Sequence, residues 1–168
     1  MHKNILAFGQ RNAHLFSGSV LEVGSQNVNG TIREVLPITL GVDFMEGRGV
    51  DRVVDVCDLE ATFGPESFDC VVSCDALEHM EHWNESLRNM WAVLKPRGIF
   101  LLTIAHPEKG VHGYPHDYHR IGMQPLLKMF KGNQFLDNFK KYPSMGVCLR
   151  KTGGIDYTIR PFKVGEKP

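Results

Sequence analysis

The chain has 168 residues, of which 42% are hydrophobic and 23% charged, and its 19 basic and 19 acidic residues give a net charge of zero. This is typical of one soluble globular domain, so we expect a single domain with a core over about 19–151 and a frayed polar tail over about 161–168. Neutral charge disfavours a nucleic-acid partner, and without about 18 consecutive apolar residues no membrane span or membrane partner is expected. The apolar run near the N-terminus is too short for a signal peptide, so a cytoplasmic location is expected.

Five apolar runs rich in β-branched residues are separated by helix-like segments and are predicted to form strands. They cover residues 19–23, 38–42, 52–56, 68–73 and 99–104. Several runs are nearly continuous in apolar residues rather than alternating. This is typical of strands buried on both faces, as in a parallel sheet with helices on either side.

The clearest predicted helix lies between the fourth and fifth runs. Its apolar residues recur at helical spacing on one face: Trp83, Leu87, Met90, Trp91 and Leu94. Asn84 is predicted as the N-cap, and Pro96 and Gly98 as the end of the helix. The two tryptophans are therefore interpreted as core residues. A second helix is predicted over 123–130.

Two closing strands are predicted over 134–142 and 146–151, and the short turn between them requires an antiparallel pair. The predicted fold class is therefore α/β: a Rossmann-like open sheet of mainly parallel strands with a C-terminal antiparallel hairpin and helices on both faces. Ligands of such sheets bind outside the C-terminal ends of the strands, near the point where the strand order reverses.

The four cysteines, Cys57, Cys70, Cys74 and Cys148, form no C-x-x-C pair. A zinc ribbon or a thioredoxin-like motif is therefore not supported. Three of them lie in or beside predicted strands. We interpret them as free thiols, mostly buried, in a reducing compartment.

Polar residues follow four successive predicted strands. Gly24 permits a sharp turn after the first strand, and the amides that follow could face an anion. The loop is neither G-x-G-x-x-G nor a phosphate-binding P-loop. Asp43 lies nineteen positions after Gly24, which is close to the spacing of an acid that binds ribose hydroxyls. Asp58 and Leu59 follow the third strand, where an acid could accept from an adenine amino group and an apolar side chain could cover the ring.

The segments V-L-E-V-G-S, G-V-D-F, D-V-C-D-L-E, F-D-C-V-V-S-C-D-A-L-E-H and N-M-W-A-V-L-K-P-R-G-I-F-L-L-T stand in this order along the chain. Together they resemble a class I S-adenosylmethionine-dependent methyltransferase, in particular a small single-domain bacterial or phage-like member. The resemblance covers about residues 20–103, and extends to 151 if the hairpin is counted. Gln26 and Val28 depart from the glycine-rich first motif, which leaves the path of this loop and the cofactor affinity open.

The resemblance implies S-adenosylmethionine as cofactor and a role for each matching position. Gly24 and Ser25, with Glu22, would line the methionine moiety, and Asp43 would bind the ribose hydroxyls. The remaining cofactor residues implied by the resemblance are Phe44 or Met45 stacking on adenine, Asp58 and Leu59 at its edge, Cys74 and Asp75 near the sulfonium, and Leu77 and His79 closing the pocket.

The segment 106–120 holds four of the eight histidines and follows the fifth strand, so it is expected to overhang the methyl-donor site. We name His116 and Tyr118, together with His79, as candidate catalytic residues, because a histidine can take a proton near neutral pH. Asp117 and His119 are further candidate bases. A purely structural loop is the alternative. A metal site built from His106, His112, His116 and His119 matches no strong signature, so no metal is predicted.

The sequence therefore predicts methyl transfer from S-adenosylmethionine to a small-molecule acceptor by in-line displacement. Two alternatives stay open. A non-catalytic binding module is supported by the altered glycine loop. An NAD-dependent oxidoreductase is disfavoured because the G-x-G-x-x-G motif is missing and a second acid follows the third strand. The sequence identifies neither the acceptor nor the oligomeric state.

Overall fold

A seven-stranded sheet runs through the computed structural model, which describes residues 1–113 and 116–164. The strands are β1 Val20–Val23, β2 Leu40–Asp43, β3 Arg52–Val53, β4 Phe68–Cys74, β5 Leu94–Ala105, β6 His119–Arg120, β7 Gln134–Lys141, β8 Ser144–Arg150 and β9 Phe162–Lys163. The sheet has the order β3-β2-β1-β4-β5-β8-β7, and β6 pairs with β9 apart from it. The first five strands are parallel, while β8 is antiparallel to both β5 and β7. The predicted mixed sheet with its closing antiparallel hairpin is confirmed.

Four α-helices occur in the described residues: α1 Lys3–Asn12, α2 Leu59–Phe63, α3 Trp83–Val93 and α4 Met123–Met129. The last two were predicted, and α1 was not. Asn84 is not the N-cap of α3, because the helix already begins at Trp83 and His82 occupies the cap position without a side-chain capping bond. The start of β5 at Leu94 ends α3 before the predicted stop at Pro96.

Both faces of the sheet are covered, as the continuous apolar runs predicted. Alternate residues of β4 belong to different core clusters, since Val71 packs with α3 and α4 while Val72 packs with α1. The two tryptophans of α3 are buried. All four cysteines are free; two are buried and two are half-buried. Among the described residues, no helix has the length and apolar character needed to cross a bilayer.

The C-terminal segment differs from the frayed tail that was expected. Phe162–Lys163 forms β9 and pairs antiparallel with β6. The amide of Val164 also donates to the carbonyl of Tyr118 at 3.0 Å. This segment is therefore attached beside the histidine-rich loop. The remainder of the predicted tail, 165–168, lies outside the described residues.

Candidate functional site

A cavity of about 780 Å³ lies at the C-terminal ends of β1, β2 and β4. Its size is within the range of about 300–1,000 Å³ that small-molecule sites occupy. The strand order reverses between β1 and β4, because the chain runs from β1 outward to β3 on one side and from β4 outward to β5 on the other. The cavity thus lies at the switch point where ligands of open α/β sheets bind.

Most of the residues predicted for the site line this cavity. They are Glu22, Gly24, Ser25, Asp43, Phe44, Cys74, Asp75, His79, His116 and Tyr118. Met45, Asp58, Leu59 and Leu77 are not among the lining residues. Leu59 and Leu77 are fully buried in the core, so the expectation that they cover adenine or close the pocket is corrected.

Asp58 and Leu59 were misplaced because the third strand ends earlier than the sequence predicted. Strand β3 ends at Val53, three residues before the predicted end, and the chain then turns into a short 3₁₀ helix. As a result Asp55, Val56 and Cys57 line the cavity, where Asp58 and Leu59 were expected. Asp55 accepts a hydrogen bond from the Cys57 amide at 2.9 Å and so caps this helix.

The loop after β1 passes close to the loop after β4. Gly24 has φ +78°, and a Cβ added there would overlap the Cβ of Ala76. The amides of Gly24 and Ser25 donate to the carbonyl of Val42. These amides are therefore not directed at a bound anion, contrary to the sequence expectation. The buried hydroxyl of Ser25 has no hydrogen-bond partner among the described residues and stands at the cavity wall.

Asp43 connects the first two strand ends. Its Oδ2 accepts a hydrogen bond from the Gln26 amide at 3.1 Å, and the backbone of Phe44 and Met45 also donates to the carboxylate. Burial raises the pKa of Asp43, and these backbone bonds oppose the rise. Because an ionised carboxylate offers about four acceptor sites, capacity remains for a ligand hydroxyl at the cavity.

Glu22 lies on the cavity wall with Arg33 behind it. The guanidinium Nε of Arg33 donates to Glu22 Oε2 at 3.2 Å. Burial nevertheless raises the pKa of Glu22 to about 7, against the hydrogen bond and the charge of Arg33. Glu22 is thus a buried acid that titrates near neutrality, beside a cation.

Asp75 is fixed between two further strands. Its Oδ1 accepts from Thr103 Oγ1 at 2.9 Å, and its Oδ2 accepts from Ser144 Oγ at 2.6 Å. The backbone of Asp75 has φ +47°, an uncommon conformation for a residue other than glycine. The preceding thiol, Cys74, has its pKa raised well above the usual range, chiefly by burial, which disfavours the thiolate form.

The histidine-rich segment forms the opposite wall, as predicted for a loop that follows β5. His79 Nδ1 is hydrogen-bonded to the carbonyl of His116. A carbonyl only accepts, so Nδ1 carries the proton and Nε2 of His79 is left with a lone pair. His119 serves the structure, since its Nε2 contacts the Glu81 carbonyl at 3.0 Å and its ring packs edge-on against Trp83. Tyr114 of this segment lies outside the described residues.

Comparison with known proteins agrees with this arrangement. The family described as "Methyltransferase domain" matches residues 27–102. The ubiquinone/menaquinone biosynthesis C-methyltransferase UbiE of Pseudomonas aeruginosa is 27% identical over 114 residues, which are 66% of this chain and 43% of that protein. The Burkholderia thailandensis 1,6-didemethyltoxoflavin-N1-methyltransferase, solved with 1,6-didemethyltoxoflavin and S-adenosylhomocysteine, superposes with a TM-score of 0.65 at 18% identity, over 90% of this chain and 78% of that one.

The chain has the fold of these methyltransferases, and the family model matches less than half of its length. A possible histamine N-methyltransferase from Thermotoga maritima shares the fold as well, with a TM-score of 0.67 at 16% identity, over 88% of this chain and 89% of that chain. The chain spans less than half the length of the curated relatives that it matches. These neighbours differ in what they act on, so the acceptor has to be argued from the site itself.

Glu78 and Arg120, which lie beside the histidine-rich wall of the cavity, were not named as site residues from the sequence. Asp117 was named only as a candidate base, and His112 only as a member of the metal set that matched no strong signature. Arg120 is buried and donates two hydrogen bonds to Asp117 and further ones to the carbonyls of Lys109 and Gly110. Burial would raise the pKa of Asp117, but the bonds from Arg120 and from the His112 amide outweigh it and hold the pKa below its usual range. In the sequence, only the spacing of the segment D-Y-H-R indicates that Asp117 and Arg120 could form a pair.

Proposed function

We propose that this protein transfers the methyl group of S-adenosylmethionine to a small-molecule acceptor. The observation that carries the proposal is the meeting of Gly24, Asp43 and Asp75, from three different strand ends, at one cavity on the switch point. The toxoflavin methyltransferase of the same fold holds S-adenosylhomocysteine and a small heterocyclic acceptor. This supports the same two classes of ligand here.

The residues present fit the cofactor. Asp43 offers a carboxylate acceptor to a ribose hydroxyl. The exposed ring of Phe44, with 54% of its surface accessible, offers a face for adenine. Ser25 contributes a hydroxyl without a partner among the described residues, which suits the polar methionine end. Because a side chain at position 24 would overlap Ala76, the two loops approach closely enough to enclose the ligand between them.

When bound, S-adenosylmethionine supplies a methyl group already activated by its positively charged sulfur. The acceptor atom forms a bond to this carbon as the carbon–sulfur bond breaks, and the electron pair of that bond stays on sulfur. The protein's task is to hold the acceptor in line with that bond. It must also accept any proton that the acceptor releases.

His79 is the base that the geometry favours. Its Nδ1 is occupied by the His116 carbonyl, so Nε2 is the nitrogen that takes a proton. His79, His116 and Tyr118 all line the cavity on the side of the histidine-rich segment. We propose that this wall holds the acceptor, while the loops after β1 and β2 hold the cofactor.

Isothermal titration of the full chain with S-adenosylhomocysteine tests the proposal, with NAD as the competing ligand. Binding of S-adenosylhomocysteine and not NAD is expected. Asp43→Asn should weaken it by about 10–100-fold, because a charged hydrogen bond contributes about 1.5–3 kcal/mol.

Asp58→Asn is the matched control, because Asp58 follows the next strand but does not line the cavity. Asp58→Asn is expected to bind S-adenosylhomocysteine with the affinity of the wild type. If NAD binds and S-adenosylhomocysteine does not, the protein belongs with the oxidoreductases. If neither binds to folded protein, the proposed function is wrong.

A further inference from the structure

Three side chains with metal-ligating atoms meet at the wall of the cavity. Ligand atoms of Glu78, His79 and His112 all lie within 4.8 Å of one another. His112 Nε2 is 3.8 Å from Glu78 Oε1, and the two imidazole rings are 5.0 Å apart between centroids in an edge-to-face arrangement. Both histidines line the cavity, so the cluster is accessible from it.

The far nitrogens of both histidines are already held. His79 Nδ1 is hydrogen-bonded to the carbonyl of His116. His112 Nδ1 lies 3.0 Å from Asp117 Oδ2 and 3.1 Å from Arg120 Nη2. Because a guanidinium only donates, zinc binding at Nε2 requires the Nδ1 proton of His112 to be directed at Asp117. Asp117 is in turn fixed by the buried guanidinium of Arg120. A carbonyl or carboxylate on one ring nitrogen is what orients a histidine whose other nitrogen binds a metal. The arrangement leaves the Nε2 atoms as the two ligand positions.

The carboxylate of Glu78 has an unused oxygen. Glu78 is only 1% exposed, and its Oε1 accepts a hydrogen bond from the Ala105 amide at 3.1 Å. Its Oε2 is buried and has no hydrogen-bond partner among the described residues. A buried carboxylate oxygen without a partner is costly. A cation bound to the Glu78 carboxylate would offset this cost.

We propose that Glu78, His79 and His112 bind a divalent zinc ion, with a fourth coordination position open to the cavity. Two imidazoles and one carboxylate are a ligand set known for catalytic zinc. Ligand atoms about 2.0–2.2 Å from zinc stand roughly 3.4 Å apart in a tetrahedron, so the cluster contracts by about 1 Å on binding. This departs from the sequence analysis, which predicted no metal.

The proposed site also differs from the set of four histidines that the sequence offered as metal ligands, which were His106, His112, His116 and His119. Of that set only His112 belongs to the cluster. His106 Nδ1 faces the Glu108 amide at 3.2 Å, and His119 Nε2 faces a backbone carbonyl. The new members, Glu78 and His79, come from the loop after β4, which adjoins the proposed cofactor position.

The role of the ion rests on the proposed function and replaces the role of His79 as a base, because a nitrogen that binds zinc cannot also take a proton. Its open position would take the oxygen or nitrogen of the acceptor that receives the methyl group, and a bound Zn²⁺ lowers the pKa of such a group. The acceptor class that fits is therefore a small molecule with a hydroxyl, carboxyl or azole donor. Zinc binding itself can be measured without turnover.

The test is a zinc titration of the chelator-treated full chain in competition with a chromophoric chelator, with Co²⁺ absorption reporting the ligand set. One equivalent is expected to bind. Loss of a group that only orients a metal ligand typically weakens metal affinity 10–100-fold. Loss of a direct ligand in Glu78→Gln, His79→Gln or His112→Gln is therefore expected to weaken zinc binding about 100-fold or more. His14→Gln, at an exposed histidine, is the matched control and should bind as the wild type does.

S-adenosylhomocysteine binding is measured on the same metal-free samples. It shows whether each variant is folded, and it tests the proposed methyl transfer separately from the zinc site. No saturable zinc binding, or binding that all three variants retain, overturns the metal site even if S-adenosylhomocysteine still binds. Stoichiometric zinc that the variants lose supports the site. If S-adenosylhomocysteine then fails to bind, the role given to the ion falls with the proposed function.

Discussion

Replacing Gly24 by alanine is expected to destabilise the protein in two ways, through backbone strain and through steric overlap. The positive φ of Gly24 makes any L side chain unfavourable there by about 1–2 kcal/mol. The new Cβ would also overlap the Cβ of Ala76, far inside the roughly 3.5–4.0 Å at which carbon atoms attract each other. Overpacking of this kind costs about 1–3 kcal/mol. Gly24→Ala is therefore expected to destabilise the protein by about 2–5 kcal/mol, from both terms together.

Gly64 provides the matched control. It has φ +80°, but a Cβ there would meet only Ser67 Oγ, at 3.7 Å. Gly64→Ala should thus cost only the backbone term of about 1–2 kcal/mol. Adding Ala76→Gly to the Gly24→Ala protein removes the overlapping methyl, so the double-mutant cycle should show about 1–3 kcal/mol of recovery.

Thermal or urea unfolding followed by circular dichroism measures these three variants and Ala76→Gly alone, which completes the double-mutant cycle. At about 2–4 °C per kcal/mol, Gly24→Ala should melt about 4–20 °C below the wild type. Equal costs for the two glycine variants, or a cycle with no coupling, would refute the close approach of the loops after β1 and β4.

Two further predictions concern buried charges. Asp117→Asn breaks the buried ion pair with Arg120 and should lower the unfolding free energy by about 3–5 kcal/mol. A loss below about 1 kcal/mol in urea unfolding would contradict the anchoring role of Arg120. Glu22 has a folded-state pKa of about 7, above the unfolded value of about 4.3, so the folded state holds its proton more tightly. Its contribution to stability is therefore largest at low pH and falls as the pH rises towards 7, by up to about 3 kcal/mol. Unfolding free energies of wild type and Glu22→Gln at several pH values check this, and parallel profiles would count against it.

The sequence is informative where local pattern and burial agree. Nearly continuous apolar runs predict strands covered on both faces, and β1, β4 and β5 follow this rule. Helix α1 was missed because its apolar residues are few and Gly9 weakens the helical pattern. The structure shows why glycine stands there, since a Cβ would lie 2.7 Å from Ile32 Cδ1.

Site residues are harder to predict where their position depends on a strand end or on a distant partner. Asp58 was placed at the third strand end and Asp55 inside the strand, because β3 was expected to run three residues longer than it does. The role of Glu78 depends on His112, which is 34 positions away, and the burial of Arg120 depends on a loop that closes around it. Neither contact leaves a periodic signal in the sequence.

The position of β8 has a consequence for the synthesis of the chain. The edge of β5 from Ile99 to Ala105 pairs with Ser144–Arg150, so a nascent chain has completed β5 long before its partner strand leaves the ribosome. Until then this nearly fully buried strand presents an open apolar edge, the kind that pairs with other chains. Ribosome-bound chains that stop before residue 144 should therefore recruit holdase chaperones or aggregate, whereas chains released after residue 150 should not. The edge of β5 thus stays unprotected until residues 144–150 have been synthesised.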